Sequence, residues 1–373
     1  MAQKESVVKR YIDTDVYTEA KKRIKHIIDI FDKIYVCFSG GKDSLAVLNL
    51  TQEVYDELGI TEKVNVIFRD EEIIPDDVIK FVTDIYNSGK YNFYYYAVPL
   101  KSSKFILGNT IEYIQWDENR KWLRQKPEFA ITLDKDDHRV FDQYTMDAFC
   151  VENVTGKIAF LTGIRADESL IRLSSCVAKK YDNYINETKT PKVKLCKPIY
   201  EWSQDDVFLY FYKKGIKYCG IYDLQILNND NLRVSTPLHA ESSKKFKKLK
   251  TLYPVFYQQI IDIFPEMLVQ EKYWDSLDKY SVMQNYEHSW NGIIKYIDDN
   301  IEDEKQNKLA KQRVITAKKT RDNKMINGEN LNTLGGYPIN YVFKQVINGN
   351  YKRHIQPQCK PTKQDFIYEG INV

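Results

Sequence analysis

The chain has 373 residues, 43% of them hydrophobic and 29% charged, which excludes wholesale disorder and exceeds what one minimal domain needs. Its 55 basic and 52 acidic side chains leave a net charge of +3, so no global field directs it to nucleic acid and only a local patch could do so. No apolar run approaches the roughly 18–20 residues of a membrane helix, and the N-terminal MAQKESVVKRYIDTD lacks the apolar core of a signal peptide.

Residues 16–32 set Ile24, Ile27, Ile28 and Phe31 at helical spacing and predict an amphipathic helix. It leads into IYVCF at 34–38, a continuous apolar run of the kind expected when helices cover both faces of a strand. A helix follows over 43–58, then a second strand at 64–68. Pro75 introduces a helix over 76–87, and FYYYAVPL at 93–100 reads as a third strand. This alternation predicts a parallel sheet with helices on both faces. Residues 101–140, with Trp116, Trp122, Pro127 and many charges, break the rhythm and read as an insertion. A helix at about 142–154 and a strand at 157–161 restore it. Further helices start near Ala166 and at 203–214, the latter capped by Ser203 with Asp205 and Asp206 in its first turn.

After Pro237 the strand signals fade. Residues 242–304 are mostly helical and rich in aromatics, and 305–325 form a polar basic run from Lys305 to Lys324. Several of its cations, Lys318, Lys319 and Arg321 among them, could share one helical face, as in a reader of nucleic-acid phosphates or simply a solvated helix. The tail, with Gly335, Gly336, Pro338, Pro357 and Pro361, looks irregular. The expected division is a nucleotide-binding domain at 1–235, with its insertion at about 101–140, and a helical accessory domain at 236–373.

Ser39-Gly40-Gly41-Lys42-Asp43-Ser44 joins the first strand to a helix. Glycines there let the backbone turn sharply and come close to a ligand. Free N–H groups and the dipole at the helix start favour an anion such as phosphate. Lys42 adds a mobile charge, and the Ser39 and Ser44 hydroxyls can donate to phosphate oxygens. Neither a Walker A loop nor a dinucleotide fingerprint is present. Asp43 is a candidate to help hold Mg²⁺ with phosphate oxygens, or to stabilise the helix start. Arg165 and Arg172 follow a later strand end and suit phosphate recognition, with pairing to Asp167 or Glu168 as the plain alternative.

The six residues resemble the PP-loop, S-G-G-x-D-S, of the adenine-nucleotide alpha-hydrolase superfamily. GIRADESLIR at 163–172 and KPIYEWSQDDVFLYFY at 197–212 narrow the resemblance to its phosphoadenosine phosphosulfate (PAPS) reductase branch. It covers roughly residues 30–235 and implies a parallel five-stranded sheet flanked by helices, with an adenine nucleotide, ATP or of the PAPS type, at the carboxyl ends of the strands. It also implies that the loop after the second strand, with Arg69, Asp70 and Glu71, contacts ribose or adenine. Trp202 and Val207 are expected to pack a helix against the sheet.

The reductases also carry a nucleophilic E-C-G-[LI]-H motif, where this chain has Tyr218-Cys219-Gly220-Ile221-Tyr222. Cys219 is therefore expected to be an ordinary buried thiol. The six cysteines, the others being Cys37, Cys150, Cys176, Cys196 and Cys359, include no C-x-x-C pair, so no iron–sulfur cluster or zinc ribbon is expected. A reducing cytoplasm is the expected setting.

In the tail, YWDSLDKYS and YEHSWNGII are similar to the IbrA-type prophage co-activators, which implies a mobile-element setting and a ParB/sulfiredoxin-like companion protein. The first functional expectation is an enzyme that cleaves the alpha–beta phosphate bond of ATP, with Lys42, Asp43 and Arg165 carrying the chemistry. A PAPS reductase and a nucleotide-dependent regulator without turnover are the alternatives.

Overall fold

The computed structural model describes residues 13–177, 182–228, 230, 232–274, 283, 285–326, 331–358 and 360–369. The chain divides into two compact units. The first comprises residues 1–100, 115–117 and 124–234; the second comprises 101–114, 118–123 and 235–373.

The first unit is built on a six-stranded sheet of order β3-β2-β1-β6-β8-β7. Its strands are β1 (Lys33–Phe38), β2 (Asn65–Arg69), β3 (Asn92–Tyr96), β6 (Ile158–Leu161), β7 (Ile185–Glu187) and β8 (Val193–Cys196). Five run parallel, with Val36 of β1 opposite Val66 of β2 on one side and Leu161 of β6 on the other. This is the parallel five-stranded sheet expected from the sequence. The sixth strand, β7, adds an antiparallel edge three residues long. It is too short for an alternating pattern, and the β8 backbone supplies its pairing. The third strand ends at Tyr96 rather than at residue 100, because Ala97 donates instead to the Ile131 carbonyl.

The helices of this unit are α1 (Val16–Ile30), α2 (Lys42–Leu58), α3 (Asp76–Asn87), α4 (Gln143–Phe149), α5 (Leu170–Val177), α6 (Gln204–Lys214) and α7 (Ile221–Leu227). Helix α1 buries Ala20, Ile24 and Ile27, and α2 is buried along much of its length, as a central helix over the sheet must be. Ser203 and Asp206 close a reciprocal capping box at the start of α6. Trp202, just before it, is buried and donates its indole N–H to the Val16 carbonyl at 3.0 Å. From β1 the sheet grows outward through β2 and β3 on one side and through β6 and β8 on the other. The carboxyl ends of β1 and β6 thus flank the topological switch point, where open α/β sheets leave a crevice for a ligand.

The second unit contains the hairpin of β4 (Leu100–Ile106) and β5 (Asn109–Gln115), whose two-residue turn has positive φ at both Leu107 and Gly108. The remaining helices are α8 (Ala240–Ser243), α9 (Phe246–Leu252), α10 (Pro254–Ile263), α11 (Met267–Tyr273), α12 (Trp290–Asn300), α13 (Glu304–Ile326), α14 (Ile339–Ile347) and α15 (Lys363–Tyr368). A core of Ile293, Ile297, Val314, Phe343, Val346 and Tyr351, among others, joins α12, α13 and α14.

The tail is therefore not irregular throughout. Pro338, counted with the irregular tail, serves as the N-cap of α14, and the apolar face that follows is buried. Of the motif YWDSLDKYS, only Tyr273 and Trp274 fall among the described residues.

The basic run lies on α13, which buries Ala310, Val314 and Ala317 on one face. Its cations are not equivalent. Arg321 forms a two-pronged pair with Glu369 at 2.7 and 2.9 Å, and Lys311 pairs with Asp298, whereas Lys318 and Lys319 are exposed. No helix among the described residues is long and apolar enough to cross a membrane.

Candidate functional site

The loop 39–44 emerges from β1 and enters the 17-residue α2. Gly40 has φ +75°, and a Cβ there would lie 2.8 Å from Val78 Cγ1 and 3.0 Å from Val82 Cγ2. Both conformation and space therefore demand glycine. The two serines shape the loop from within. Ser39 N–H donates to Ser44 Oγ at 3.1 Å, and Ser44 Oγ donates to the Gly41 carbonyl at 3.0 Å.

The first turn of a helix leaves N–H groups without intrahelical carbonyls. In α2 the Lys42 amide donates to the Tyr222 hydroxyl at 2.8 Å, while the amides of Asp43 and Ser44 have no partner among the described residues.

Lys42 is 3% exposed. Its ammonium reaches Asp43 Oδ2 at 2.8 Å and the Leu232 carbonyl at 3.2 Å, and lies 5.6 Å from the Tyr222 ring centre. Burial lowers its pKa, and the Asp43 carboxylate opposes that shift. Arg165, buried after β6, donates Nε to Asp43 Oδ1 at 2.8 Å and Nη1 to both oxygens of Asp167 at 2.8 Å. Lys42, Asp43, Arg165 and Asp167 thus alternate in charge along one chain of ion pairs.

Gly163 makes this junction possible. A Cβ there would lie 2.4 Å from the Asp43 carbonyl carbon and 2.6 Å from the Ser44 nitrogen. Only glycine lets the segment after β6 approach the start of α2 so closely.

The other candidates lie elsewhere. Arg172, on α5, pairs with Glu168 and is partly exposed. The Asp70 carboxylate is buried and committed. Its Oδ1 accepts from the Glu72 amide at 2.9 Å and from Arg124, and its Oδ2 accepts from the Tyr95 hydroxyl at 2.6 Å. Asp70 therefore shapes the turn after β2. Arg69 pairs with Asp147 beside Cys37 and Cys150. Burial pushes the Cys37 thiol up to about 12 and the Cys150 thiol up to about 11. Glu71 keeps a half-buried carboxylate whose pKa is raised by burial and then by the Asp70 charge.

Both Asp43 oxygens face cations, and the described residues hold no group of three or more His, Cys, Asp or Glu able to bind a metal. A magnesium ion here would need Asp43 to release one of these cations and phosphate oxygens to complete its coordination shell. Cys219 is buried, with its thiol directed at the Asp77 carbonyl 3.7 Å away and its pKa raised by burial.

Residues 33–258 match the phosphoadenosine phosphosulfate reductase domain. The chain belongs to that family. It shares the family's adenine-nucleotide-binding fold. The chain is 27% identical over 221 residues to the uncharacterized protein YbdN of Escherichia coli (strain K12). That stretch is 55% of this chain and 54% of YbdN, so the chain spans about half the length of the curated relative it matches.

Similar solved structures include Candida glabrata FMN adenylyltransferase with FMN and an ATP analog, at 14% identity and a TM-score of 0.38, covering 58% of this chain and 65% of that one. The PAPS reductase of Candida auris, in a phosphate complex, is 14% identical with a TM-score of 0.34, covering 55% and 84%. The U34-tRNA thiolase NcsA of Methanococcus maripaludis, with its [4Fe-4S] cluster, is 15% identical with a TM-score of 0.32, covering 71% and 82%.

Sequence reasoning singled out the loop and Arg165, and the fold brings them together. It missed Tyr222, which is 180 positions from Lys42. The signal was present as the tyrosine standing where the reductase motif has histidine.

Proposed function

We propose that this chain binds ATP and cleaves its alpha–beta phosphate bond, transferring AMP to an acceptor and releasing pyrophosphate. The observation that carries this reading is the start of α2, where partnerless Asp43 and Ser44 amides and the buried Lys42 ammonium meet at the switch point of the sheet. In the reaction, an acceptor atom attacks the alpha phosphorus. The bond to the bridging oxygen breaks, and pyrophosphate leaves with the electron pair. The amides and Lys42 stabilise the charge that develops on that leaving group.

Phosphate oxygens would draw Lys42 from Asp43, which remains paired to Arg165. Arg165 thereby acts as a positioning residue for the loop, through Asp43, and Arg172 can exchange Glu168 for a distal phosphate. Glu71, whose carboxyl is hard to ionise, would in this reading meet the acceptor or the nucleoside.

The test is incubation with labelled ATP, PAPS and adenylyl sulfate, followed by separation of products. Pyrophosphate released from ATP, and lost in Lys42→Ala, is the expected result. Thiol-dependent sulfite release from PAPS that vanishes in Cys219→Ser would overturn it in favour of a reductase, against which the buried, raised Cys219 thiol now weighs. Binding of ATP without turnover would favour the regulator, with its ParB/sulfiredoxin-like companion. Nucleic-acid contact through the exposed lysines of α13 belongs to that second reading.

A further inference from the structure

The second unit carries positive charge that its own carboxylates do not neutralise. Lys352 is half-buried, and its ammonium bonds only to the Ser103 hydroxyl, at 2.8 Å, with no carboxylate partner among the described residues. The exposed Arg353 beside it likewise has no hydrogen bond or ion pair among the described residues.

Next in the chain, His354 meets Arg313 of α13, with Arg313 Nη1 3.2 Å from His354 Nε2. Arg313 Nε is buried without a hydrogen-bond partner. The turn that holds Lys352 packs against α13.

His239, 3.3 Å from Ser102 Oγ, lies in the field of the same two cations. Burial, then Lys352 and Arg353, push its pKa down to about 4, with only the Glu241 carboxylate opposing them. Lys352 itself is lowered to about 8 by burial and by Arg353. A desolvated cation held by one neutral hydroxyl is unfavourable in the fold unless something else partners it.

We infer that Lys352, Arg353 and Ser103 form an oxyanion-binding site that takes a phosphate group. The ammonium and guanidinium donate, the Ser103 hydroxyl accepts from Lys352 and keeps its own proton to donate, and the site as built lacks an anionic acceptor among the described residues. A tetrahedral phosphate dianion accepts from several directions and matches two positive charges, which a single carboxylate does not. Arg313, whose Nη1 meets His354, adds a further positive charge near this turn. The inference is independent of ATP turnover, because none of these residues belongs to the loop at 39–44.

The experiment is calorimetry on the full chain carrying Lys42→Ala, which weakens anion binding by the loop, titrated with orthophosphate and with pyrophosphate. Binding should persist in that background. It should weaken by about ten- to a hundredfold when Lys352→Met removes a charge-assisted hydrogen bond. In anion-free buffer the Lys352→Met protein should unfold at a higher temperature than its parent, since an unpartnered cation has gone. That readout separates loss of a ligand from loss of the fold.

A duplex oligonucleotide titrated against bound pyrophosphate identifies the source. Displacement marks the occupant as a polynucleotide phosphate, and its absence marks a free anion. No phosphate binding in the Lys42→Ala protein, or equal binding after Lys352→Met, would overturn the inference.

Discussion

The Tyr222 hydroxyl accepts from the Lys42 amide at the head of α2, a further donor that the proposed phosphate could use beside the Asp43 and Ser44 amides. Tyr222→Phe removes that one oxygen and leaves the buried ring in place. Without nucleotide, the variant loses one neutral hydrogen bond at a helix start, about 1 kcal/mol. For a unit of this size that lowers the melting temperature by about 2–4 °C.

With nucleotide the sign reverses. A phosphate oxygen must displace the hydroxyl in the native protein but finds a free amide in the variant. ATP affinity should therefore rise by the same 1 kcal/mol, about fivefold. Paired calorimetry and thermal melts, with and without ATP, read both changes on one preparation. Unchanged or weaker ATP binding in Tyr222→Phe would refute the reasoning, because the hydroxyl would then be either out of the way or itself a ligand.

Five further outcomes are expected. Gly163→Ala drives a methyl into the backbone of Asp43 and Ser44, and should cost about 1–3 kcal/mol by denaturant melts, together with nucleotide binding. Cys219→Ser should leave nucleotide turnover largely intact, as product assays would show, because a buried thiol with a raised pKa is a poor nucleophile. If α13 contacts nucleic acid, replacing the exposed Lys318 and Lys319 by Ala should flatten the salt dependence of binding in an anisotropy titration, by roughly one unit for each phosphate no longer neutralised. Arg321→Ala would instead break its pair with Glu369 and destabilise the second unit. Lys352, with Ser103, Arg353 and His239 around it, holds its proton less firmly than the ordinary lysine value of 10.5. The folded chain then binds fewer protons than the unfolded chain between about pH 8 and 10.5, so stability rises with pH through that window. The melting advantage of Lys352→Met should accordingly shrink from pH 8 to pH 10 in anion-free buffer.

The nucleotide end of the sheet was readable because each of its signals is local. An apolar run, a glycine turn and an amphipathic helix follow one another from Ile34 to Leu58, and Ser203 marks the start of α6 within four residues. What could not be read depends on distant partners. Arg165 is 122 positions from Asp43, so its candidacy for phosphate showed in sequence but its hold on Asp43 did not. In sequence Asp70 shows only as a candidate for ribose or adenine contact, and that Arg124 and Tyr95 occupy both its oxygens is visible only in the fold. In the tail, Gly335, Gly336 and Pro338 hid α14, because proline before a helix and proline after one look alike without the buried face that follows.

The β4–β5 hairpin lies within the first half of the chain, yet it is completed by residues that come more than a hundred positions later. Phe105 donates its amide to the Leu238 carbonyl and accepts from Ser243 Oγ, Leu107 donates to Gln270, and Tyr113 packs its ring on Phe264. A fragment cut at residue 235 would keep the whole PP-loop sheet but expose Phe105 and Tyr113, at about 1.5–3 kcal/mol for a large apolar side chain such as Phe105. On the ribosome the same hairpin emerges early and stays unpartnered until the later helices have been made. Aggregation of a truncated chain would thus report this interlaced order of synthesis and folding, and not a weakness in the nucleotide-binding sheet.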